Sequence, residues 1–82
     1  LSVTMTQLLT IYADFQNADR EGYVRLNTEG TQADLCRVGL ALSEGLRLCL
    51  SDGELRTTAV VVQPGTEGVW RAKIDWSGLS QE

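Results

Sequence analysis

Seven cations, eleven carboxylates and two cysteines are the charged and thiol chemistry of this 82-residue chain, and it contains no histidine. That absence removes the commonest general base, the commonest transition-metal ligand and every Ser-His or Cys-His dyad. Cys36 and Cys49 fall short of the four ligands of a structural zinc site, and read as reduced thiols in core or near-surface positions. The carboxylates Asp14, Asp19, Glu21, Glu29 and Asp34 do not follow the Asp-x-Asp-x-Asp-Gly spacing of a calcium loop and read as solvated charges. The glycines punctuate turns and form neither a G-x-G-x-x-G nor a Walker A pattern. The chain therefore reads as non-enzymatic, with no cofactor, no metal and no small-molecule substrate.

Two surface groupings remain. Arg47, Arg71 and Lys73 fall on one outer strand face, with Arg56 alongside but offset by Asp75, and such a patch would suit single-stranded nucleic acid. A net charge of −4 and a pI near 4.6 oppose that partner. Val60, Val62 and Val69 form an apolar group on the same outer face. It predicts a docking surface for a protein partner or for a second copy in a homodimer. The expected function is a protein-interaction or regulatory module, and the alternative is a small nucleic-acid-binding barrel.

The elements that position these residues follow from alternation and turn chemistry. Leu46 to Leu50 alternates, Asp52-Gly53 predicts a two-residue hairpin turn, and Leu55 to Val62 is rich in Thr and Val. Pro64-Gly65 marks a second hairpin, and Val69 to Trp76 returns with Trp70, Ala72, Ile74 and Trp76 on one face. The first turn predicts Leu50 opposite Leu55 and Leu48 opposite Thr57. The second predicts Val62 opposite Val69, Leu55 opposite Trp76, and an ion pair between Arg56 and Asp75. Upstream, 7–15 alternates as a strand and 23–27 as its partner, with Asp14 expected against Arg25. Thr31 with Asp34 three residues on predicts a helix start, and Gly39 its end after about two turns. The leucines of 40–45 should plug one end of the core.

These elements predict a mainly β fold: a small five-stranded antiparallel curled sheet or partly open barrel, with one short helix between strands 2 and 3. Residues 1–6 are expected as a flexible lead, with Met5 a candidate natural start, 7–76 as one domain and 77–82 as a polar tail. In strand count and length the arrangement resembles an SH3-like barrel. The resemblance carries no residues across, because the chain has no Ala-Leu-Tyr-Asp-Tyr type run, no paired tryptophans and no Pro-Ser-x-Tyr. No apolar stretch approaches the ~20 residues that span a bilayer, and no secretory pattern opens the chain, so a cytoplasmic location without membrane attachment is expected.

Overall fold

The protein's structure, a computed structural model, describes residues 9–81. The expected lead 1–6, the Met5 start and the first two residues of the predicted strand 7–15 lie outside that range. The fold is mainly β with one short helix and a sheet curled into a half-barrel, as the sequence predicts, but the sheet is mixed instead of wholly antiparallel. In chain order it comprises β1 (Thr10–Tyr12), β2 (Val24–Arg25), α1 (Glu29–Val38), β3 (Arg47–Ser51), β4 (Leu55–Val62), β5 (Arg71–Ile74), a 3₁₀ turn (Trp76–Gly78) and β6 (Ser80–Gln81). The strands lie in the order β1-β3-β4-β5-β2, and β6 pairs with the start of β4 beyond the end of β5.

β1 and β2 do not pair with each other, contrary to the predicted hairpin. β1 runs parallel to β3, and β2 runs antiparallel to β5 at the far edge. Residues 13–23 thus carry the chain from one edge of the curl to the other, with Ala13 and Phe15 buried on the way. Asp14 consequently never meets Arg25. Its carboxylate accepts instead from the Gln16 backbone N–H at 2.9 Å, forming a local turn.

Both β-hairpins differ from the predicted register by two residues. Leu48 faces Ala59 and Leu50 faces Thr57, while Val61 faces Ala72 and Ala59 faces Ile74. The first shift has a visible cause in Asp52. Its Oδ1 accepts from the backbone N–H groups of Glu54 and Leu55, each at 2.8 Å, while its own N–H donates to the Leu55 carbonyl at 3.1 Å, so the turn moves on to Gly53-Glu54 and the strand ladder begins at Ser51 and Arg56. In the second hairpin, Gly68, at φ 71°, donates its N–H to the Gly65 carbonyl, and the loop occupies 63–70. A shift of two preserves side-chain parity, so the inner face stays apolar.

That inner face is the core. Ile11, Leu48, Leu50, Val61, Val24 and Leu26 are essentially inaccessible, and Leu35 of α1 packs with them. Leu40, Leu42, Leu46, Leu55 and Trp70 are half-buried against its margin. The N-cap lies three residues earlier than the expected Thr31. Thr28 is the N-cap, accepting from the Thr31 N–H at 3.3 Å, and Gly39 ends the helix in the left-handed conformation. Thr31 lies inside the first turn of the helix, and its hydroxyl donates to the Tyr12 carbonyl at 2.7 Å. Asp34, one turn on, accepts from the Tyr12 N–H at 2.8 Å. Two helix side chains thus satisfy both backbone groups of an edge-strand residue, and so block further strand addition there. Gly30 is required at this contact, since a Cβ would lie 2.7 Å from the Tyr12 ring.

Candidate functional site

Alternation sends one side chain of every pair to the convex face of the sheet. Arg25, Arg47, Arg56, Arg71 and Lys73 all point there, five of the seven cations in the chain. The register arranges them in cross-strand rows. One row runs Val62, Arg71, Arg25, and the next runs Arg47, Val60, Lys73. A third holds Cys49 beside Thr58, and a fourth Ser51, Arg56 and Ser80.

The first row sets two arginines directly opposite each other, an unfavourable pair that loop carboxylates neutralise. Arg25 forms a two-point ion pair with Glu67, Nε to Oε1 at 2.8 Å and Nη2 to Oε2 at 2.9 Å. Arg71 donates to Asp19 at 3.0 Å, to Glu21 at 2.7 Å and to the Gln63 carbonyl at 3.0 Å, and stacks 5.0 Å from the centre of the Tyr23 ring. Its Nε is buried without a hydrogen-bond partner. Burial pushes the Asp19 carboxyl upward. The Arg71 hydrogen bond and the N–H groups of Tyr23 and Glu21 outweigh it and hold the group below its ordinary value. The Glu67 carboxyl is likewise lowered by its hydrogen bond from Arg25. These charges line a cleft of 530 Å³, and their ion pairs are made within the molecule. Arg71 accordingly does not combine with Arg47 and Lys73 as a free basic group.

The second row is different. Among the described residues, no ion pair involves Arg47, Arg56 or Lys73. Val60 stands between Arg47 and Lys73 with 37% of its surface exposed, although it sits in the longest strand. A groove of 610 Å³ opens beside it, lined by Arg47, Thr58, Val60, Lys73 and Asp75 among others. A second groove of 320 Å³ shares Thr58 and Asp75 with the first and reaches Cys49, Arg56 and Ser80. Arg56 lies within 3.7 Å of the Cys49 sulfur.

The three predicted valines are not one patch. Val62 is half-buried next to Arg71, and Val69 falls in the 63–70 loop instead of opposite Val62. Val60 alone is exposed among the unpaired cations. The expected Arg56–Asp75 pair is also absent. Asp75 caps the 3₁₀ turn, accepting from the Ser77 N–H at 3.0 Å and hydroxyl at 2.6 Å, and these bonds lower its carboxyl below the usual value. That turn lifts Trp76 out of the inner face. Its ring lies edge-on to Phe15, its indole N–H donates to the Gly22 carbonyl at 2.9 Å, and 43% of its surface is exposed.

Among the described residues, no three His, Cys, Asp or Glu side chains gather as a metal site, and no helix is long and apolar enough to cross a membrane. Cys36 is exposed on α1 and Cys49 half-buried on β3, both as free thiols. No protein-family model matches the chain, and neither curated proteins nor solved structures supply a match.

Proposed function

We propose that this chain is a non-catalytic interaction module, an acidic SH3-like small barrel that docks a protein partner on the convex face of its sheet. The observation that carries the reading is Val60, an apolar side chain left exposed in mid-strand and flanked by two cations that make no ion pair among the described residues. Interaction surfaces pair such an apolar centre with a polar rim. The two free thiols suit a reducing compartment, and the reading places the module in the cytoplasm. A single-stranded nucleic-acid reading keeps Arg47 and Lys73 but not Arg71, whose guanidinium is bonded to Asp19 and Glu21.

A photo-crosslinking amino acid placed at Val60, with the same group at Thr66 as control, tests the proposal in cells. The expected result is a discrete protein adduct from position 60 that is lost when Lys73→Glu is added. Identical adducts from both positions, or none from position 60, would refute it.

A further inference from the structure

We infer that the convex groove takes an extended acidic protein segment, with two carboxylates four residues apart and a small or apolar residue midway between them. This deepens the docking reading above and rests on it. Charge supplies the first part of the argument. Arg47 and Lys73 flank Val60 on neighbouring strands, so their backbones stand roughly 10 Å apart and a carboxylate above Val60 is within reach of both. Arg56 lies four residues from Val60 along β4, roughly 13 Å away, and none of the three has an ion-pair partner among the described residues. The two grooves that join at Thr58 and Asp75 connect these positions.

Geometry supplies the second part. An extended peptide rises at the same rate as the strand beneath it, so residues i, i+2 and i+4 face one way and span that distance. Carboxylates at i and i+4 then meet the Arg47–Lys73 pair and Arg56, and residue i+2 rests over Thr58. The site's opposing charge is Asp75, which lines both grooves and is held ionised by Ser77. It sits at the neck between the two cationic ends, where it disfavours a third carboxylate and so selects the spacing.

A nucleic-acid strand fits less well. The cationic track ends at the row where Asp19, Glu21 and Glu67 neutralise Arg71 and Arg25. The net charge of −4 repels a polyanion at long range. Stacking platforms are also scarce on this face. Trp76 is tied to Phe15 and Gly22, and Tyr12, at the margin, packs on Gly30.

The test is an amide-shift NMR titration of the full chain at low salt. The probes are eight-residue Ser/Val peptides carrying two glutamates spaced two, three, four or five residues apart, their glutamine counterparts, and an eight-nucleotide oligo-dT. The four-residue spacing should bind about two- to fivefold tighter than its neighbours, a margin typical of one exposed ion pair. Shifts should centre on Arg47, Arg56, Thr58, Val60 and Lys73. Arg56→Glu should erase the spacing preference, and Asp75→Asn, which keeps a competent cap, should tighten binding about two- to fivefold. Glutamine peptides binding as well as glutamate ones, no preference among spacings, no peptide binding at all, or tighter binding of the oligonucleotide at the same residues would each overturn the inference. If peptides fail while the adduct at position 60 persists, the acidic partner is wrong and the docking face stands. If both fail, the docking face falls as well.

Discussion

The row Val62, Arg71, Arg25 and the adjacent row Arg47, Val60, Lys73 share two strands, one face and a like composition, yet their charges do opposite work. In the first, Asp19, Glu21 and Glu67 arrive from two loops and bind the guanidinium groups, so the cations fasten loops to the sheet. In the second, no carboxylate among the described residues pairs with the cations, which remain on a surface beside an exposed valine. A count of basic residues on a face is therefore a poor guide to what the face can bind. The deciding quantity is how many of them the molecule already uses.

The sharpest way to break this contrast is to remove the hub of the first row. Arg71→Ala should leave Asp19, whose side chain is only 9% exposed, beside Glu21 without its guanidinium partner, held by the Glu21 and Tyr23 N–H groups. Stripping a largely buried carboxylate of its ion-pair partner is strongly unfavourable, so this should give the largest stability loss of any convex-face substitution. Urea unfolding should show the drop in midpoint, and hydrogen exchange should quicken together in 19–23 and 63–67, the segments Arg71 joins. Loss confined to one segment would mean that the hub fastens a single loop.

Acid should act on the same row next most strongly. The Asp19 carboxyl is lowered in the folded protein, so its contribution is complete above the unfolded value of about 3.9 and is lost as pH falls toward the folded value. Glu67 and Asp52 are lowered too, Asp52 by the N–H groups of Leu55 and Glu54, so stability should decline from about pH 5 downward. Asp19→Asn should be less stable than the parent at pH 7 and converge on it in acid. Parallel stability curves across that range would show that the carboxylate is not engaged as described.

How much of this was legible in the sequence depended on whether parity or distance decided the outcome. Alternation was enough to place Leu48, Leu50, Ala59, Val61, Ala72 and Ile74 inside, because a register error of two residues leaves every side chain on its own face. The same error moved each neighbour. Val69 left Val62, Asp75 left Arg56, and Lys73 came to Val60 instead of Thr58. The cause in the first hairpin was a side chain, Asp52, competing for turn N–H groups, a competition the dipeptide Asp-Gly does not reveal. The Arg71 hub was hidden because its partner Asp19 is 52 residues away, and the parallel pairing of β1 with β3 because nothing local marks a parallel neighbour. One signal was available for the helix position. Thr28 lies three residues before Thr31, and with Thr28 as the cap Thr31 falls in the first turn, where its hydroxyl reaches the Tyr12 carbonyl.

The smallest expected effect sharpens the contrast from the other side. If Arg47 and Lys73 serve no purpose within the fold, replacing either with alanine should change unfolding free energy by no more than about 0.5 kcal/mol, the usual range for surface positions. Both lie exposed, and neither takes part in an ion pair among the described residues. The double variant should also be additive. The two flank Val60 from opposite strands, so their only coupling is mutual repulsion at roughly 10 Å, which salt screens at that range. Urea midpoints at 50 and 500 mM salt measure both quantities. A loss as large as that of Arg71→Ala would mean that the second row is fastened like the first, and the surface it offers would no longer be free for a partner.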